Sequence, residues 1–275
     1  MDGFFDAAGK AQRVTHGCAT FELPILYFRD DLFLSFLTVD AERARAAMPS
    51  DNLHPVTLPG GRALLAIGAF NYLETSIGSY GEVAVALPAV YGRRPVSGLM
   101  PALQEGNYPG FGTVVLHLPV TRQTARDAGR GVWGYTKFVA DMEFSITPEY
   151  LECAMEEDGL HILTLRVPRR GIFRRDHRPL VTYSVKDGAL VRTVIPARGS
   201  FRMAVRPKDA VLELGRHPVA DSIRELDPSP RPLLSRYYVE RSAILPEGTV
   251  LEEGVRALDG YRGRDGDGRH EVRYR

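Results

Sequence analysis

The chain has 275 residues, 44% hydrophobic and 25% charged, enough apolar content to bury a sizeable core and too much to leave the chain disordered. Its 35 Lys plus Arg against 34 Asp plus Glu leave a formal charge of +1, so no global field favours nucleic acid or an anionic membrane, and the expected partner is a small molecule. Cys18 and Cys153 lie far apart and outside any CxxC pairing, which indicates neither a disulfide framework nor a thiolate metal site and fits a reducing compartment.

The N-terminus, Met1 to Asp6, is acidic and lacks a basic stretch followed by an apolar one, so no secretory signal is expected and the protein is read as cytoplasmic. Asp31 to Val39 is rich in aromatic and β-branched residues and predicts a strand, after which Asp40 can cap a helix over Ala41 to Met48 that Pro49 ends. Arg62 to Asn71, Glu82 to Tyr91 and Gly112 to Leu118 are apolar runs bounded by Gly or Pro, as in a meander of core strands. The uncharged stretch from Gly106 to Thr121 is broken by Pro109, Gly110, Gly112 and Pro119 and is too short to span a bilayer. A second helix is predicted from Thr121 to Ala128, with Gly129 as its left-handed stop.

Short strands follow at 143–146, 151–156, 160–167 and 180–185, with hairpin turns at Asp158-Gly159 and Lys186-Asp187-Gly188. Alternation continues over 199–214, a short helix over 219–226 stops at Asp227-Pro228, and a last strand is expected at 236–245. The tail 258–275, with four glycines among Arg and Asp, has no apolar period and reads as polar and flexible, leaving one domain over 1–257. Many short strands with only three short helices predict an antiparallel, β-rich α+β fold, with closure into a barrel expected; a doubly wound parallel sheet would need helices alternating with the strands.

Neither GxGxxG nor GxxxxGK[ST] occurs, Gly78-Ser79-Tyr80-Gly81 is one residue short of a nucleophile elbow, and the seven histidines form no HxH or HExxH spacing. No cofactor and no metal are indicated. Arg169 to Arg178 is the one basic cluster; it could bind a phosphate or a single strand, but reads more simply as a hairpin with an ion-paired face, since the overall charge is balanced.

Within the 35 basic residues only Lys10, Lys137, Lys186 and Lys208 are lysine, and 31 are arginine. Lysine, unlike arginine, can lose its proton. Lys137 lies in Gly129-Arg130-Gly131-Val132-Trp133-Gly134-Tyr135-Thr136-Lys137-Phe138-Val139-Ala140-Asp141, beside the only tryptophan and between Tyr135 and Phe138. Poor solvation there would favour a neutral amine, a nucleophile towards carbonyl carbon. The alternative is a snorkelling side chain that lays its stem on Trp133 or Tyr135.

That segment resembles the acetoacetate decarboxylase family's G-R-E-ϕ-x-G-[FY]-P-K, in which the lysine after the aromatic-Pro pair is the Schiff-base residue; the matching position is Lys137. Tyr80-Gly81-Glu82-Val83-Ala84-Val85-Ala86-Leu87-Pro88 is similar to the family's Y-x-E-x-x-x-A-ϕ-P, whose glutamate lies in the active site, and this carries over to Glu82. His217-Pro218-Val219-Ala220-Asp221 with Ile223 to Leu226 resembles its C-terminal helix, and the Leu32 to Pro49 unit brings Arg29 to the position of an active-site arginine. The resemblance spans roughly residues 20 to 255 and implies a closed cone-like antiparallel barrel, a homo-oligomer and a small keto acid as substrate. Two departures count against a simple transfer of activity: Phe138 stands where well-characterised members have a second lysine, and Thr136 replaces proline. Desolvation alone must then activate Lys137, and a fixed φ before it is lost.

The chemistry these residues imply is attack of Lys137 on a ketone, with Glu82 as proton shuttle and Arg29 holding a carboxylate. Tyr80, Tyr135, Trp133 and Phe138 are the candidate substrate-contacting residues, the two tyrosines serving as hydroxyl donors or as plain packing. Decarboxylation of a β-keto acid is one outcome. A pyruvate-dependent aldolase-dehydratase using the same enamine is another, and a non-catalytic small-molecule-binding barrel is a third.

Overall fold

In a computed structural model, which describes residues 3–103, 108–264 and 272–274, a period-two pattern of apolar side chains runs through most of the chain. The elements, in order, are β1 (Gln12–His16), β2 (Ala19–Leu23), β3 (Ile25–Asp40), α1 (Ala41–Ala46), β4 (Leu53–Pro55), β5 (Thr57–Leu58), β6 (Arg62–Thr75), β7 (Tyr80–Tyr91), α2 (Met100–Leu103), β8 (Phe111–His117) and α3 (Gln123–Trp133). After them come β9 (Asp141–Ile146), β10 (Tyr150–Glu157), β11 (Leu160–Pro168), β12 (Ile172–Asp176), β13 (Leu180–Lys186), β14 (Ala189–Ile195), β15 (Ala197–Val205), β16 (Val211–Leu214), α4 (Pro218–Glu225), β17 (Leu234–Leu245), β18 (Thr249–Glu253) and β19 (Val272–Tyr274). No helix among the described residues is long and apolar enough to cross a membrane.

β1 and β2 form a separate hairpin, β16-β11-β10-β9-β19 a small sheet, and β12-β15-β17-β3-β6-β7-β8-β13-β14-β18 the spine of a large one. Pairing is antiparallel except for β8 with β13 and β9 with β19. The large sheet curls until strands from both halves line one cavity. Among the described residues its ladder does not close into the expected barrel: the path ends at β12 and β18, and β12 is an edge strand whose exposed Arg174 and Arg175 disfavour further pairing.

Alternation assigns the two faces of this sheet different work. Phe33, Leu65, Ile67, Val83 and Val85 pack with Met142, Phe144 and Leu163 of the small sheet in the main core. Their neighbours Leu34, Ala66, Gly68, Ala84 and Ala86 face the cavity instead.

The local signals act as their chemistry dictates at several termini. Asp40 accepts a hydrogen bond from the Arg43 N–H at 2.9 Å and caps α1. Asp158 and Gly159, with φ of 50° and 76°, make the tight β10–β11 turn. At α3 the expectation fails: the helix runs through Gly129 to Trp133, and Gly134 at φ 69° is the left-handed cap. The C-terminal segment also differs. Leu258 and Tyr261 pack on the main core, Arg130 Nη2 donates to the Arg262 carbonyl at 2.5 Å, and β19 extends the small sheet; residues 265–271 lie outside the described residues.

Candidate active site

Residues 135–140 form an extended segment beside 117–121, tied by the Leu118 N–H to the Thr136 carbonyl at 3.1 Å, Val120 N–H to Phe138 carbonyl at 2.9 Å and Ala140 N–H to Val120 carbonyl at 2.9 Å. An extended segment sends successive side chains to opposite sides. Tyr135 and Lys137 therefore face the cavity, while Thr136 and Phe138 face away. Thr136 anchors the segment through its own side chain, its Oγ1 donating to the Leu116 carbonyl at 2.6 Å, so a hydroxyl supplies locally the restraint a proline ring would give through φ.

Lys137 is 5% exposed and Glu82 7%, and Lys137 Nζ donates to Glu82 Oε2 at 2.5 Å. This excludes a snorkelling lysine, whose head would reach water. The stem lies across α3: a Cβ at Gly129 would collide with Lys137 Cδ and Cε. Gly129 is therefore required for close approach inside the helix rather than as its stop. Arg130 Nε donates to the Lys137 carbonyl at 2.7 Å and fixes the backbone from the same helix.

Around the pair stands a cluster of phenols. Tyr72 donates to Glu82 Oε1 at 3.2 Å, Tyr27 and Tyr80 share a hydrogen bond of 2.9 Å, and the Tyr80 ring centroid is 5.9 Å from Lys137 Nζ. Burial, reinforced by the Glu82 charge, holds the Tyr27 and Tyr72 hydroxyls well above the ordinary phenol range, and burial does the same for Tyr80. They stay protonated and can donate. Tyr135, pushed up to about 12 by burial, meets Thr182 Oγ1 at 2.6 Å.

The cavity holding these groups is about 190 Å³ and mostly apolar, with Leu34, Phe36, Phe70, Val115 and Leu118 among its walls. Two cation pairs border it. Arg241 Nη1 donates to Asp30 Oδ2 at 2.6 Å, with both side chains buried; burial pushes the Asp30 carboxyl up to about 6 against the pull of the guanidinium, leaving it ionised at neutral pH. Arg178 from the basic cluster binds Asp176 at 2.8 Å, and Tyr238 donates to the same carboxylate at 2.9 Å. Elsewhere in the cluster Arg170 pairs with Asp209 at 2.5 Å, and Arg169 donates to the Thr147 carbonyl at 2.8 Å.

Three expected site residues lie elsewhere. Arg29 is exposed and borders a separate outer recess, because irregularities in the β3–β6 ladder on either side of it break the alternation and bring Asp30 inward instead. Trp133 is buried behind Tyr135, stacked on it at 6.1 Å between centroids, with Nε1 donating to the Pro246 carbonyl at 2.9 Å. Phe138 packs edge-on to Tyr261 at 4.9 Å on the far side of the segment. Tyr80 stands one layer behind the lining, and Tyr135 is part of it. Sequence reasoning missed Tyr27, Tyr72, Asp30 and Arg241; the only local signal was the polar pair Asp30-Asp31 inside an apolar strand.

The sequence profile of the acetoacetate decarboxylase (ADC) family matches residues 20–255. No curated protein sequence matches the chain significantly. Among solved structures, an acetoacetate decarboxylase from Legionella pneumophila superposes with a TM-score of 0.61 at 16% identity, over 92% of this chain and 97% of that one. The enduracididine biosynthesis enzyme MppR complexed with pyruvate gives 0.61 at 14% identity over 87% and 92%. An acetoacetate decarboxylase-like enzyme from Sphingomonas wittichii RW1 gives 0.56 at 15% identity over 84% and 94%. At these identities the superpositions establish a common fold.

Proposed function

Since the chain belongs to the acetoacetate decarboxylase family, we propose that it is a Schiff-base lyase in which Lys137 attacks the ketone of a small keto acid. The observation that carries this reading is the 2.5 Å contact of Lys137 Nζ with Glu82 Oε2, both buried in the wall of one apolar cavity. Glu82 takes a proton from the ammonium, leaving an amine that adds to the carbonyl carbon. The proton returns to the departing oxygen, so ketone plus ammonium give iminium plus water. For a β-keto acid the C–C bond to the carboxylate then breaks, its electron pair moves into the iminium, and carbon dioxide leaves. The enamine carbon takes a proton that Glu82 relays from a water molecule, the hydroxide left behind adds to the iminium, and collapse of that adduct with a proton from solvent restores the Lys137 ammonium. Apolar walls favour this step, because the carboxylate loses its charge as it departs.

A second reading is favoured by the room available. A cavity of about 190 Å³ holds roughly a dozen water-sized groups, more than a four-carbon acid fills. The same Lys137 enamine, formed from pyruvate, could add to an aldehyde; MppR has been solved with the condensation product of pyruvate and imidazole 4-carboxaldehyde. Borohydride reduction in the presence of acetoacetate or pyruvate, followed by peptide mass analysis, tests both. An adduct on Lys137 is expected, and its absence with every keto acid would refute the Schiff-base chemistry. Carbon dioxide release from acetoacetate then separates the two enzyme readings.

A further inference from the structure

Among the described residues, Arg236 of the cavity wall takes part in no ion pair. Arg236 on β17 is 5% exposed and borders the cavity, yet its Nε has no hydrogen-bond partner among the described residues. Its guanidinium carbon lies 5.4 Å from the ring centre of Phe36 and 5.0 Å from that of Phe201. Two aromatic rings hold the group in place without using its N–H donors. The neighbouring cations differ: Arg241 is committed to Asp30 at 2.6 Å and Arg178 to Asp176 at 2.8 Å. A buried guanidinium held ready with free donors is suited to a bidentate carboxylate brought in from outside.

The position of Arg236 decides which carboxylate. It is in register with Leu34, Leu34 with Gly68, and Gly68 with Ala84, two residues from Glu82 on β7. Three strand spacings put about 14 Å of sheet between Arg236 and Ala84, a path that the curl of the sheet and the inward reach of both side chains shorten across the cavity. The surface between is Leu34, Gly68 and Ala84, apolar and mostly small. A carboxylate that must leave as carbon dioxide is also the wrong one to pair with arginine, since pairing stabilises the charged ground state more than the transition state.

We propose that Arg236 binds a second, distal carboxylate, so that the substrate is a keto acid whose ketone and far anionic group are separated by a short apolar chain. This assignment rests on the Schiff-base reading of Lys137.

The test compares β-keto-octanedioate with β-keto-octanoate, a diacid and a monoacid of equal length, by the concentration that half-saturates borohydride-trapped adduct on Lys137. In the wild type the diacid should half-saturate at a concentration about tenfold or more below that of the monoacid. Arg236→Met should abolish that preference and leave the monoacid value unchanged, which also shows that the variant is folded; Arg236→Lys should recover part of it. Equal half-saturation of the two acids in the wild type, or equal weakening of both by Arg236→Met, would overturn the role of Arg236. No adduct with either acid would refute the Schiff-base reading and this substrate assignment together.

Discussion

The two sides of the segment that carries Lys137 and Phe138 each contain a buried glutamate with a basic partner, and they are built for opposite ends. On the cavity side Glu82 holds Lys137 at 2.5 Å and accepts one phenol, Tyr72, with open volume in front. On the other side Glu157 accepts His217 Nε2 at 2.9 Å, Tyr261 at 2.6 Å and the Arg264 N–H at 3.3 Å. His217 Nδ1 in turn accepts the Val219 N–H at 3.2 Å and caps α4, so Nε2 carries the hydrogen given to Glu157. The back cluster is saturated and closed over by the C-terminal segment. Burial of an ionisable pair therefore does not by itself make a site; a proton with somewhere to go and space for a reactant do.

The largest expected effect falls on the front side. Lys137→Arg keeps a cation beside Glu82 but removes the amine that can be deprotonated, so turnover should fall at least about 10⁴-fold, while thermal stability stays near wild type because the buried pair is kept. Mass analysis of trapped adduct and a melting curve check the two halves; an adduct on the arginine variant would refute the role of Lys137. Glu82→Gln should lower the rate of carbon dioxide release by about 10²–10³-fold through loss of the shuttle. Trapping at Lys137 should fall by less, because over a long incubation solvent can take the ammonium proton in place of Glu82. If trapping and turnover fall together, Glu82 is needed for attack as well as for proton return.

Glu157→Gln tests the back side. The amide nitrogen would replace the acceptor of either the His217 and Tyr261 donors or the Arg264 N–H, so stability should drop by about 1–3 kcal/mol, read as a lower urea midpoint, with kcat/KM for the trapped substrate close to wild type. A large loss of activity in the folded variant would dissolve the distinction between the two sides.

How far this division could be read from the sequence depends on range. Lys137 and Glu82 follow from local motifs, and strict alternation over 135–138 was enough to place Phe138 opposite Lys137, had it been applied to a segment that is extended without belonging to a strand. Arg29 could not be placed, because the ladder irregularities beside it arise from pairing with β6, a partner far along the chain. Arg236 and Arg241 were two arginines among 31; only the pairing of β17 with β3 brings them to the cavity. Gly129 carried a correct signal with the wrong cause, since glycine marks close approach as readily as a helix stop. Openness of the sheet was invisible because closure depends on hydrogen bonds between elements at its two ends.

The smallest effect separates a titrating group behind the wall from the pair in front of it. His117 ends β8, its Nε2 bonded to Ser222 Oγ at 2.8 Å. Ser222 donates its own hydrogen to the Val219 carbonyl at 2.8 Å, so it can only accept from His117. Among the described residues Nδ1 has no partner, and protonating it would bury a charge and an unmet donor. Burial, with His217 nearby, accordingly lowers the imidazole from 6.5 to about 4. The folded state thus binds fewer protons than the unfolded one between those values, so stability is full above about pH 6.5 and is lost as pH falls towards 4. Between pH 7 and 5.5 this group should remove about 1 kcal/mol. His117→Gln can still donate to Ser222 and does not titrate, so its urea midpoint should fall by correspondingly less over the same interval. Because His117 faces away from the reacting groups, the acid limb of the turnover profile should be the same in both proteins; a shift in that limb would place His117 in the proton path of Glu82.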